Sequence, residues 1–165
     1  MPFLTSKGQI HSENLCVMPE EETVERARED EREGLSPSTQ AGEFVREEME
    51  HIREGKHGAR SPQQAIAIGL SKARRAGVKL PPPKGGKPQT KRQAKRDLAK
   101  GRRGGRKKPS PTRSRATRGA LKRERRSAVS HKALSRQARS AAKRRSRQSR
   151  SAAAKKAVRT RRRRR

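Results

Sequence analysis

The side chains able to do acid–base or metal chemistry are few and scattered. Four histidines, His11, His51, His57 and His131, share the chain with one cysteine, Cys16. His11 and Cys16 alone cannot complete a zinc site, and the histidines show no paired ligand spacing. They read as solvated side chains and Cys16 as a free thiol, so neither a metal nor a cofactor is expected. The glutamates of 43–54 read as a solvated helix face rather than an acid/base pair. "GRRGGRKK", 101–108, lacks the spacing, the preceding strand and the following helix of a phosphate-cradling loop. With no catalytic constellation left, an enzyme is not expected.

The chemistry that does stand out is neutralisation of negative charge. Residues 1–55 carry 14 acidic and 6 basic side chains, whereas 56–165 carry 41 basic and only 2 acidic ones, Asp97 and Glu124. An acidic head on a basic remainder points to a polyanion partner. From Lys84 onward 35 of 82 residues are basic, and each can release a counterion from a phosphate backbone without reading sequence. The expected contacts are Arg102, Arg103, Arg106, Lys107, Lys108, Arg113, Arg115, Arg118, Arg144, Arg145, Lys155, Lys156, Arg161, Arg162 and Arg163. The only aromatics are Phe3 and Phe44, which argues against base stacking on single strands. Duplex DNA is therefore the expected partner, with RNA as the alternative. "SPTR", Ser110 to Arg113, resembles the Ser-Pro-x-basic turns of linker-histone tails. "RGGRKKP", Arg103 to Pro109, resembles an AT-hook whose Gly-Arg-Pro core is broken by two lysines.

The elements that must position these groups follow from punctuation and periodicity. Only 27% of residues are apolar and 38% are charged, too few core formers to offset the entropy of ordering the whole chain. The expectation is a mostly disordered protein with a small all-α element. Pro19–Glu33 reads as a marginal helix in an acidic arm over 1–35. Ser36 and Ser61 can each cap a helix with proline at its first position. Gln64 gives Ser61 a capping-box signature, and Gly55 and Gly77 are the stops. The spacing predicts a helical hairpin, about 37–54 and 62–76, packed through Phe44, Val45, Met49, Ile52, Ile66 and Leu70. So small a unit is weakly stable or buries its stripe against a second copy, making a homo-oligomer a further expectation. Pro81–Pro83 end the helical part of 36–83. Residues 84–165 read as a disordered tail, with marginal helices within 118–160 that form once phosphate neutralises the charge. A loose repeat marks its alanine-rich end: "RSAVSHKA" at 126, "RSAAK" at 139 and "RSAAAKKA" at 150.

No window approaches the ~18 apolar residues of a membrane span, and the first residues lack a signal peptide's basic and apolar regions. A cytoplasmic, nucleoid-associated protein without a membrane partner is expected.

"GEFVREEMEHIREGKHGARSPQQAIAIGLSKARRAG", 42–77, carries a resemblance. Its Glu-Phe helix, its Lys-His-Gly turn and its Gln-Ala-Ile-Ala-Ile run ending in Lys-Ala-Arg resemble an uncharacterised bacterial family, domain of unknown function 6496, over about 36–80. The resemblance marks Lys56, His57 and Gly58 of the turn and Gln64 of the capping box that Ser61 opens. It implies a bacterial source and assigns no activity. The tail is similar in composition to linker-histone-like bacterial nucleoid proteins. The reading is thus of a histone-like, non-enzymatic DNA-binding protein that compacts duplex through its tail, with the hairpin as docking or oligomerisation unit. The alternatives are an RNA- or ribosome-associated protein, or an adaptor whose hairpin binds a protein.

Overall fold

A computed structural model describes residues 19–103 and 110–163. Seven α-helices occupy them: α1 Glu21–Arg32, α2 Pro37–Arg53, α3 Pro62–Ala76, α4 Pro88–Arg102, α5 Pro111–Lys122, α6 His131–Lys143 and α7 Arg147–Arg163. A short 3-10 turn, Arg126–Val129, joins α5 to α6. Helix makes up 75% of the described residues, which form an all-α fold and not a mostly disordered protein with one hairpin. The two helices of the predicted hairpin are present as α2 and α3, but they are two of seven. Pro81–Pro83 do not end the helical part either, since α4 begins at Pro88.

Two physical reasons account for the difference. First, the core is built from small side chains: of the eleven buried hydrophobic residues, seven are alanines, Ala27, Ala41, Ala59, Ala65, Ala73, Ala94 and Ala128. Counting large apolar groups underrates such a core, because small residues let helices approach until backbone packs on side chain. Second, Ala, Arg, Lys and Gln are strong helix formers. Proline starts α2, α3, α4 and α5 at the position where its missing N–H costs nothing.

Helix α2 packs against α3, flanked by α1 on α2 and α4 on α3. One apolar cluster joins Ala27, Ala41, Phe44, Ala73 and Val78, with Val24, Leu70, Ala76 and Leu80 against it. A second joins Ile52, Ala59, Ala65, Ala128 and Val129, with Met49 alongside. Of the predicted hairpin core, Phe44 and Ile52 are fully buried. Met49 and Leu70 are partly buried at the cluster edges. Val45 and Ile66 are half-buried and belong to neither cluster. The buried face of α3 is instead Ala65, Gly69, Lys72, Ala73 and Arg74. A Cβ on Gly69 would stand 2.7 Å from Val45 Cα, so glycine sets how closely α2 and α3 meet.

Gly69→Ala therefore pits two effects against each other. Alanine gains about 1 kcal/mol in helix propensity. Overpacking costs about 1–3 kcal/mol, and the obstructing atom belongs to backbone that cannot swing aside. Net destabilisation is expected, read as a lower urea midpoint with an unchanged slope; a higher midpoint would mean the helices are further apart than described.

Several contacts tie α4 and the chain from α5 onward to the hairpin. Gly58 N–H donates to the Leu121 carbonyl at 2.9 Å and Ala59 N–H to that of Arg125 at 3.1 Å. Gly58 has no room for a side chain there, because the Glu124 carbonyl covers its Cα. Asp97 of α4 is 1% exposed. It accepts hydrogen bonds from Ser71 Oγ (2.8 Å), Arg75 Nε (2.8 Å) and Gln93 Nε2 (3.0 Å), pinning α4 to α3. The tail repeat has no common structure: its first unit enters the core through Ala128 and Val129, while the described units in α6 and α7 are half-buried to exposed.

Candidate functional site

The stripe that α2 turns inward runs through Gln40, Ala41, Phe44, Glu47, Glu48, His51 and Ile52, each buried. Helical spacing puts two carboxylates and an imidazole where apolar residues would be expected. Lys72, on the buried face of α3, answers them. Its Nζ lies 3.0 Å from Glu47 Oε1 and 2.8 Å from Glu48 Oε2. Glu47 is 2% exposed, Glu48 0% and Lys72 5%, so these charges are nearly dry and their pairing is obligatory. Burial by itself pushes the Lys72 ammonium down. The charges and hydrogen bonds of Glu48 and Glu47 outweigh it and hold Lys72 above the ordinary lysine value.

Two histidines close the cluster. His51 Nε2 meets Glu20 Oε1 at 2.8 Å, and the Glu20 backbone N–H donates to Glu47 Oε2 at 3.3 Å. The hydrogen bond from His51 holds the Glu20 carboxyl below its usual range; partial burial opposes it, and the charges of His51 and Lys56 add to it. His57, on the turn between α2 and α3, donates from Nδ1 to the Gly58 carbonyl at 3.1 Å. Its Nε2 lies 3.3 Å from Glu48 Oε1. The two rings stand 6.3 Å apart between centroids and nearly perpendicular.

These positions overturn two expectations. His51 and His57 are 2% exposed and are not solvated histidines. Glu47 and Glu48 are interior, so only part of the 43–54 glutamate face, such as Glu50 and Glu54, meets solvent. The signal was present in the sequence. Positions 41, 44, 48 and 52 share the spacing that placed Phe44 and Ile52 inside, and Lys72 lies next to Ala73 on the small-residue face.

The turn and cap residues have distinct places. Lys56 is exposed and bridges Glu20 (3.4 Å) and Glu54 (2.9 Å). Ser61 Oγ accepts from Gln64 N–H at 3.3 Å, and Gln64 Oε1 accepts from the Arg60 N–H at 2.8 Å, so the box closes one residue earlier than expected. Ser36 makes no side-chain cap bond; its hydroxyl meets those of Ser38 and Thr39.

The cations expected to meet phosphate are spread along the second half. Arg102 and Arg103 lie exposed at the end of α4, and Arg113 and Arg115 exposed on α5, where Arg118 is half-buried. Arg144 and Arg145 are exposed between α6 and α7, as are Lys155, Lys156, Arg161 and Arg162 on α7. Arg163 ends α7. Arg106, Lys107 and Lys108, most of "RGGRKKP", His11 and Cys16 lie outside the described residues. "SPTR" is the start of α5 rather than a turn between coils, since Pro111 opens that helix. Among the described residues no helix is long and apolar enough to cross a membrane.

Residues 38–84 match a family model described as a family of unknown function (DUF6496). The match spans nearly all of α2, the Lys56–Gly58 turn, α3 and the three prolines, so the family resemblance holds over the hairpin. No curated protein and no solved structure matches the chain.

Proposed function

We propose that this protein binds nucleic acid, duplex DNA above all, by neutralising backbone phosphates with the cations of α4 to α7, and that it does so without catalysis. The observation that carries this reading is the fate of the two acids in the basic half. Asp97 is buried against Arg75, Ser71 and Gln93, and Glu124 lies 3.5 Å from Arg60. Asp97 is thus withdrawn from the surface, and half-buried Glu124 is one carboxylate among many exposed cations. Helices α5 and α6 bury no residue, and the described side chains of α7 are all exposed from Ser151 to Arg162. Surfaces so rich in cations gain most from a polyanion.

Helical carriers change how the tail would act. The cations need not be ordered at the moment of binding, so less of the interaction is spent on chain entropy. The Arg-rich composition favours forked phosphate contacts and entry into narrow minor grooves. The acidic faces of α1 and α2 would repel the same phosphates and leave the second half as the contacting side. A bacterial protein of this kind belongs with the nucleoid.

Truncation after Lys143 tests the reading cleanly. It removes 12 of the 47 basic side chains and no acid, and none of the described residues it deletes is buried. The melting temperature should stay within a degree or two, while the salt dependence of duplex binding should weaken by roughly one unit of slope for each phosphate no longer neutralised. Unchanged duplex binding by the truncated chain, or tighter binding to structured RNA than to duplex by the intact one, would overturn it.

A further inference from the structure

We propose that Glu48, His51 and His57 form a binding site for a transition-metal dication of the zinc class, inside the fold and apart from the basic helices. One ligand atom from each residue lies within 4.8 Å of the other two. The residues are 0%, 2% and 2% exposed, so the site is interior.

The hydrogen bonds around the two imidazoles fix which nitrogens face the cluster. The Gly58 carbonyl can only accept, so His57 carries its proton on Nδ1 and turns Nε2 toward Glu48. The Glu20 carboxylate likewise accepts from His51 Nε2, leaving Nδ1 as the inward atom. His51 Nδ1 is buried and has no hydrogen-bond partner among the described residues. Metal-bound histidines characteristically donate their other N–H to a carboxylate or a backbone carbonyl, and here one does each. Moreover, His57 Nε2 and Glu48 Oε1 are 3.3 Å apart. With bonds of about 2.0–2.1 Å, neighbouring ligands of a tetrahedral zinc stand about 3.3–3.4 Å apart, so this pair already spans one edge.

Lys72 holds Glu48 through Oε2, which leaves Oε1 as the oxygen facing His57. A metal needs both imidazoles neutral, so its binding would displace any proton that His51 or His57 carries; the two carboxylates and Lys72 then leave one negative charge for a dication to meet. Two imidazole nitrogens and one carboxylate oxygen suit zinc or its neighbours and not calcium or magnesium, which take oxygen shells.

The test uses the full-length chain freed of nucleic acid. Cobalt(II), added as a spectroscopic probe, should give the intense visible bands of a tetrahedral site at one equivalent, and zinc should displace it. X-ray absorption on the zinc-loaded protein should show two imidazoles, no sulfur and a first shell at about 2.0 Å. His51→Gln and His57→Gln should each weaken binding by about 100-fold or more, and Glu20→Ala, which removes the acceptor that orients His51, by about 10–100-fold. His131→Gln should leave binding unchanged. A shell containing sulfur would assign the metal to Cys16, and cobalt bound without tetrahedral bands would assign it to surface side chains; either overturns the site. So does the absence of any equivalent that outlasts a weak chelator, since it means a proton alone serves the cluster. The spectra of the unsubstituted protein decide the matter even if a histidine variant fails to fold.

Discussion

Lys72→Met should cost this protein about 3–5 kcal/mol, the usual penalty for removing one partner of a buried ion pair. The ammonium is the cation between Glu47 and Glu48, which are 2% and 0% exposed. Without it, two carboxylates share a dry pocket without the ammonium that lies between them. They must take up protons, admit water or push α2 and α3 apart. Domains of this kind are stable by only about 5–15 kcal/mol, so much of the margin goes. Methionine conserves the volume, which confines the loss to electrostatics. The cost should also be recoverable. Adding Glu47→Gln and Glu48→Gln to Lys72→Met removes the orphaned charges and should restore most of the stability, because a neutral replacement of a whole buried pair is often harmless. Urea unfolding of the single and triple variants measures both. A single variant within about 1 kcal/mol of the original would mean that the pair is solvated and that the core of the hairpin is not as described.

How much of this is legible in the sequence depends on the residue type. Local signals can be read at α3, because Ser61, Pro62 and Gly77 each act through backbone geometry that the sequence states directly. The surroundings of α3 are not legible from counts of large apolar residues. Ala65, Gly69 and Ala73 pack because they are small, and a stripe of larger neighbours, Ile66 and Leu70, points to a face turned partly outward. The same bias hides α4. Its anchors are Ala94 and Asp97, one small and one charged, and neither weighs in a hydrophobicity tally. The buried cluster escapes for a different reason. Glu47, Glu48 and Lys72 go to solvent by residue type, although their helical positions continue the apolar faces. Charge on a core position is tolerated when its counterion sits on the facing helix, a pairing that spans 25 residues and is invisible to local reading. His57 needs still more, since only the turn's docking brings it to Glu48.

For the intact protein, duplex affinity should collapse with salt. A helix lying on DNA presents only part of its circumference, so if about a third of the 35 basic residues from Lys84 onward reach phosphate, ~10 charges are neutralised. Log K should then fall against log salt with a slope of about −9, a loss of about 10⁵-fold between 50 and 200 mM. Base sequence should matter little, beyond a modest A·T preference where arginines enter a narrow minor groove. The measurement that tests this most directly is a salt titration of the full-length protein on random and A·T-rich duplexes of equal length. Parallel lines near that slope, offset by less than about tenfold, are the predicted result. A shallow slope with sharp discrimination between the duplexes would contradict the account and put recognition in base contacts rather than in the charge of α4 to α7.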